Sequence, residues 1–336
     1  MATYQYNKLN LTTYISQLYK DGLSKSEHLN DNEIEEFIYN MGIFKFKGYV
    51  RAFKFNLSLY TIDDVLFLYL FDKFLSKEIL GLCLTFESKL KSILVEECYN
   101  HTDNPFFYLL KSNYITDEFY LKKEILDNWK IRSRPNNEGY KHYHDYYLHT
   151  YEFVANKEKY LQEKALVSDT IETNFPPFHY LTESATFGII KVLINNLSIN
   201  NQHISDIIAR KFGFYQSKKF KSYLERINEI RNRCAHNGRI FNRTYRSVTA
   251  IGKYKSFRNE NTSVHSIIDV YLTLYFLLGR LDSFSSYEDF YSQVIDRLFN
   301  EILNDFEISI LSKKLLHKYD NDTYKKMKNF ITKGMA

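Results

Sequence analysis

Glycine and proline are scarce in this 336-residue chain, at 11 and 4 residues, too few for the turns of a many-stranded sheet. Cysteine is scarcer still. Cys83, Cys98 and Cys234 are too few and too scattered for a disulfide framework, and no C-x-x-C pair offers zinc or thiol-exchange chemistry. A reducing, cytoplasmic setting is the expectation. The longest apolar runs, such as Val65 to Phe71, fall far short of the roughly 18 residues that cross a bilayer. The start, Met-Ala-Thr-Tyr-Gln-Tyr-Asn-Lys, has no apolar signal core, so no membrane partner is expected. Also missing are G-x-x-x-x-G-K-[ST], a helix-opening G-x-G-x-x-G, G-x-S-x-G and H-E-x-x-H, which removes the usual grounds for nucleotide hydrolysis and zinc proteolysis. Neither sign of charge dominates: 45 Lys plus Arg against 40 Asp plus Glu leave +5, a balance open to nucleic acid or to an acidic protein.

What the chain has is apolar and aromatic mass, 44% hydrophobic residues with 29 Tyr and 27 Phe, enough to bury a sizeable core. Tyr14, Ile15, Leu18 and Tyr19 predict a first helix that stops at Asp21-Gly22. Asp31 or Asn32 then caps a second carrying Ile34, Phe37 and Ile38. Residues 43–55 alternate Phe44, Phe46, Phe53 and Phe55 with Lys45, Lys47, Arg51 and Lys54, which suits a short hairpin or an irregular basic, aromatic surface. A long core helix is predicted over 63–98, its stripe formed by Leu75, Ile79, Leu82, Phe86, Leu90 and Ile93, with Lys77, Glu87 and Lys91 outside it. Residues 101–172 lose the period and read as an insertion. Its His142, His144, Asp145 and His149 could supply metal ligands, but so dense a Tyr/His tract more often serves packing. No metal or cofactor is expected. Helical spacing resumes through Ile189, Leu193 and Leu197, over 217–237, over 267–278 and over 290–310, giving an all-α helical bundle.

One segment concentrates chemistry: Arg231-Asn232-Arg233-Cys234-Ala235-His236-Asn237-Gly238-Arg239. RNA brings its own nucleophile, the 2′-OH, so cleavage needs only proton transfer and positive charge against the crowded phosphate, which an imidazole and a guanidinium supply. At 100° per residue Asn232 and His236 lie about 40° apart, whereas Arg231 and His236 lie about 140° apart, so a bent end or a second subunit must bring them together. Asn237-Gly238 is a good left-handed cap, which puts His236 in the last turn, where the helix dipole favours its cation. The spacing alone is weak: 13 Arg and 10 His give about 0.4 Arg-x4-His pairs by chance. A capped helix end with solvated arginines, its His236 bonded to a terminal carbonyl, would read the same way.

The charge distribution points further. Between Arg210 and Arg258 there are 14 Lys plus Arg and two acids, a local +12 against −7 in the rest of the chain. Such focusing suits a phosphate backbone, with Arg210, Lys211, Lys218, Lys219, Lys221, Arg226, Arg233, Arg239, Arg243 and Arg246 as RNA-binding candidates. Tyr245, Tyr254 and Phe257 are interleaved where bases could stack. A DNA-binding regulator lacks a recognisable reading helix.

The block Arg231-Asn232-x-Cys234-Ala235-His236 with Arg239-x-x-Asn242-Arg243 resembles the R-N-x-C-A-H…R-x-x-N signature of abortive-infection proteins of the AbiD/AbiF type, a branch of the HEPN superfamily. Gly22-Leu23, Phe44-x-Phe46-x-Gly48-Tyr49, Tyr69-x-Phe71-Asp72-x-x-Leu75 and Glu183-x-x-Thr186-Phe187-Gly188 are similar to its other blocks, in the same order. The resemblance implies an all-helical HEPN domain, and with the periodicity the expected division is an N-terminal helical or short-hairpin region over 1–60, the HEPN domain over 61–310 with the insertion at about 101–172, and a tail helix over 311–336. It further implies a homodimer whose paired motifs form a metal-independent endoribonuclease, a toxin restrained by a small noncoding antitoxin RNA. By position, Arg231 would neutralise phosphate, His236 would act as acid, base or transition-state ligand, and Asn232 would orient one of them. A non-catalytic RNA-binding protein on the same fold is the alternative.

Overall fold

The computed structural model describes residues 10–115, 177–258, 263–304 and 321–335. The insertion beyond Ile115, with its histidine tract, lies outside them. Among the described residues the regular structure is helical apart from one hairpin of two-residue strands and two isolated bridges. In order come α1 (Leu11–Lys20), α2 (Asp31–Met41), α3 (Ile43–Val50), α4 (Ile62–Tyr99), α5 (Phe178–Ser184) and α6 (Phe187–Asn196). Strands β1 (Ser198–Ile199) and β2 (Gln202–His203) follow, then α7 (Ile204–Lys211), α8 (Ser217–Ala235), α9 (Gly252–Phe257), α10 (Ile267–Leu278), α11 (Tyr287–Asn304) and α12 (Asn321–Met335).

α4 is the axle of the bundle. Thr61 and Asp64 cap it reciprocally, each side chain accepting from the other's backbone N–H. Every residue from Ile62 to Asp72 is buried, the all-round burial of a helix surrounded by partners. Beyond Asp72 only one stripe is apolar, and there α7, α8 and α10 lie against it; α3, α5, α6 and α11 also touch it. α2 starts one residue before the expected caps: Asn30 accepts from Glu33 N–H while Glu33 closes the box on the Asn30 N–H.

Residues 43–53 are helical, not a hairpin. The alternation of Phe and Lys concealed a three-four spacing, since Phe46, Tyr49, Val50 and Phe53 all face the core. Phe44 and Phe55 are left in solvent at 68% and 95% exposure. The hairpin that does form is β1–β2, where Asn200 and Asn201 take the turn at φ of 50° and 62°, as a two-residue primed turn requires. Residues 106–108 at the head of the expected insertion belong to the core: Phe107 packs on Phe178 at 4.6 Å between centroids.

α12 closes the molecule. Met327, Ile331 and Met335 are buried at four-residue spacing, and Phe330 stacks on Phe53 at 4.6 Å and 12°. At Gly334 the helix backbone runs against the Phe241 ring so closely that a Cβ there would overlap it.

Arg226, expected on an RNA-binding surface, is instead fully buried. Its guanidinium bonds Asp269 at 2.8 Å, Thr273 at 3.0 Å and the Val264 carbonyl at 3.3 Å, and Asp269 also accepts from the Tyr254 hydroxyl at 2.7 Å. This pair ties α8 to α10 inside the protein. Arg226→Ala is expected to cost about 3–5 kcal/mol, because it strands a buried carboxylate. Urea unfolding measures the loss, and a change below about 1 kcal/mol would show the pair to be dispensable.

Candidate functional site at the end of α8

α8 buries Phe220, Tyr223, Leu224, Ile227, Ile230 and Cys234, a helical stripe that leaves Asn232 and His236 exposed and Arg231 half-buried. The helix ends as a Schellman cap: Asn237 N–H donates to the Cys234 carbonyl at 3.0 Å and Gly238 N–H to the Arg233 carbonyl at 2.9 Å. Asn237 is the left-handed residue, at φ 53°. Gly238 supplies space, since a Cβ there would stand 3.1 Å from Arg233 Cγ and 3.2 Å from its carbonyl oxygen. His236 occupies the cap position itself with its backbone N–H on the Asn232 carbonyl. Its ring makes no hydrogen bond among the described residues, so it is not spent on a terminal carbonyl.

Arg231 leans the other way, onto α4. Its Nε stands 3.5 Å from Glu87 Oε2 and its Nη1 donates to Asn232 Oδ1 at 3.4 Å. Glu87, expected outside the apolar stripe of α4, is only 7% exposed and pairs through its other oxygen with Lys91 at 3.3 Å. Both pairs are long, so they hold Arg231 loosely. Arg231 and His236 are not joined to each other, as their angular separation on the helix requires. Beyond Lys91 a cleft of about 460 Å³ opens between α4 and α5, with Ser88, Ser92, Glu96, His179 and Thr182 on its walls. Burial lowers the proton affinity of His179, whose Nδ1 shares a 2.7 Å hydrogen bond with Tyr99. Cys234 is structural: burial pushes its thiol up to about 11, which leaves it protonated at neutral pH.

The backbone that leaves the motif is held by Asp72. Its carboxylate accepts from the Phe241 N–H at 2.6 Å, the Ile240 N–H at 3.2 Å and the Tyr49 hydroxyl at 2.5 Å. Arg239 is drawn into the same knot, donating to the Gly48 carbonyl and lying 5.9 Å above the Tyr49 ring. Tyr245, expected to stack on bases, is buried and donates to the Ile240 carbonyl at 2.6 Å. Tyr254 and Phe257 are buried as well. The aromatics interleaved with the basic residues therefore serve the core.

The basic segment does not form one surface. Arg210, Lys211, Lys218, Lys219 and Lys221 gather at the beginning of α8, and Lys211 is occupied by Glu97 at 2.7 Å. Lys221 and Arg231 are ten residues apart on that helix, about 15 Å along its axis. At the far end Arg233 is paired with Glu229 at 3.4 Å, while Arg243 and Arg246 are exposed. No group of three or more His, Cys, Asp or Glu suited to a metal ion occurs among the described residues.

Burial pushes the Asp72 carboxyl up to about 6, against the opposing pull of the Tyr49, Phe241 and Ile240 donors and of Arg239. The folded protein thus holds this proton more tightly than the unfolded chain, where Asp titrates near about 4. Stability from this group is present below about pH 4 and is lost as the pH rises through about 6. The unfolding free energy of wild type minus that of Asp72→Asn should fall by about 3 kcal/mol at most over that window and be flat above pH 7. Urea titrations at four pH values would show it. A difference that rises with pH would mean that the donors outweigh burial.

The segment of the chain from residue 36 to 242 matches the family model described as Abi-like protein. The match opens inside α2 and closes at Asn242, so it contains Gly48, Tyr49, Asp72, Glu87 and the whole end of α8. No curated protein and no solved structure matches the chain. No helix among the described residues is long and apolar enough to cross a membrane. With more than half of its residues inside the match, the chain belongs to the Abi-like protein family.

Proposed function

We propose that this protein is an antiphage abortive-infection toxin of the HEPN type, an endoribonuclease that cuts RNA without a metal. The family ties it to abortive infection and defence in general terms; the nuclease reading rests on the end of α8. The observation that carries it is His236, an exposed imidazole at a capped helix end, its ring in no hydrogen bond among the described residues, one turn after Asn232. Arg231 beside it stays partly exposed, at 26%, and is tethered only by two long contacts, to Glu87 and to Asn232.

The chemistry follows from these groups. The 2′-oxygen attacks the adjacent phosphorus as its proton passes to a base, and the bond from phosphorus to the 5′-oxygen breaks as an acid protonates that oxygen. The products are a 2′,3′-cyclic phosphate and a 5′-hydroxyl end. Arg231 neutralises the phosphate once it swings from Glu87, and Asn232 orients the guanidinium it already touches. One His236 cannot at once accept and donate, and Arg231 points toward α4. A homodimer with facing motifs supplies two imidazoles and two guanidinia, and so resolves both problems. A small noncoding RNA bound across the motif would block the site and act as antitoxin. Non-catalytic RNA binding is the second reading, favoured by the separation of Arg231 from His236 within one chain.

His236→Ala and Arg231→Ala should each lower RNA cleavage by about 10²–10⁴-fold with stability close to wild type, and EDTA should leave the rate unchanged. Mapping of RNA ends and growth of expressing cells give the readout. Full activity of His236→Ala, or RNA binding with no cleavage by the wild type, would leave the non-catalytic reading. For the dimer, mixing inactive Arg231→Ala and His236→Ala subunits should restore partial cleavage. Wild-type activity from an RNA-free monomer, established by light scattering at assay concentration, would eliminate the composite site.

A further inference from the structure

The 26 residues from Phe37 to Ile62 contain no acid and four bases, Lys45, Lys47, Arg51 and Lys54. α3 runs into the turn at Arg51–Phe53 with right-handed helical dihedrals as far as Lys54. Phe44, Gly48, Arg51 and Phe55 therefore follow one another at spacings of four, three and four residues along a single face. That face is not core. Phe44 and Phe55 are 68% and 95% exposed, and Arg51 is exposed with no ion pair or side-chain hydrogen bond among the described residues.

Gly48, in the middle of the face, is where Arg239 donates its hydrogen bond. Arg239 is three residues past His236, within about 10 Å of extended chain. Arg51 and Arg243 both stand near enough to Arg239 to oppose its charge, and Arg243, like Arg51, has no acid partner among the described residues. Asp72 offsets part of the charge of Arg239, but Arg51 and Arg243 still repel it, and a polyanion relieves that repulsion. An apolar partner would instead desolvate Arg51 and Arg243 unpaired. Two free rings about 16 Å apart, with cations between and beside them, match the alternation of bases and phosphates in a single strand.

We propose that the Phe44–Arg51–Phe55 face, continued by Arg239 and Arg243, is a track for single-stranded RNA leading away from His236, with bases stacked on Phe44 and Phe55 and phosphates on Arg51 and Arg243. The proposal rests on the nuclease reading and gives its substrate an unpaired strand and a direction of exit. It also moves the main grip from the start of α8 to the N-terminal helices.

The test is fluorescence anisotropy of a labelled 12-nucleotide oligouridine on full-length His236→Ala protein, titrated from 50 to 300 mM KCl. Adding Phe44→Ala with Phe55→Ala should weaken binding at least about 25-fold, fivefold per ring, with the salt slope unchanged. Adding Arg51→Gln with Arg243→Gln should flatten the log-log slope by about 1.4, from two lost phosphate contacts. Tyr215→Ala, an exposed ring before α8, should change neither. RNA bound with wild-type affinity and slope by both double variants would overturn the track and leave the nuclease reading standing. A ring pair that changes the oligomeric state or adsorption to anionic vesicles, but not RNA affinity, would overturn it in favour of a protein or lipid surface. Failure of the intact chain to bind or cut any RNA would remove the nuclease reading with it.

Discussion

A single buried carboxylate organises the region around the end of α8. Asp72 lies on the central helix and receives two consecutive backbone N–H groups from the segment that follows the motif, and one phenol from α3. The segment has no helical or strand hydrogen bonds of its own there, so these donors would otherwise be buried unsatisfied. The same carboxylate thus fixes where the chain goes after His236 and where α3 sits relative to it. Arg239 reinforces the junction through the Gly48 carbonyl. The His236 ring is presented by a scaffold it does not help to hold, which is what lets an exposed side chain occupy a fixed position.

The helices were readable where periodicity and caps agree. α8 begins at the expected Ser217, α10 occupies its expected span, and α4 differs by one residue at each end. α3 was misread because seven aromatic or aliphatic residues in eleven fit both a two-residue and a three-four period; only burial separates Phe46 from Phe44. The motif residues were legible as residue types, and their divergence on the helix was legible as geometry. Glu87 was not, because an acid beside an apolar stripe looks solvated until another helix covers it. Arg226 could have been recognised: it shares a face with Tyr223 and Ile230, and Asp269 is an acid within the apolar sequence of α10 that requires a buried cation.

A charge count along the sequence has no direction, and this is why the +12 segment overstated one surface. Folding spends Arg226 on Asp269, Lys211 on Glu97 and Arg233 on Glu229. It adds Arg51 to the motif end, from almost two hundred residues earlier in the chain. The electrostatic character of the site is therefore a tertiary property, assembled from cations that the sequence separates while nearby acids are consumed elsewhere.

The contact between Gly334 and the Phe241 ring has a consequence in time. Phe241 is the residue whose N–H is held by Asp72, and the helix that covers its ring is made 93 residues later. At about 5–20 residues per second of synthesis, a growing chain spends roughly 5–20 s with the motif helix complete and the lid over Phe241 not yet made. During that interval the ring is open on one side and the loop after His236 lacks one of its walls. The loop after the motif therefore gains its last wall only when α12 folds onto Phe241.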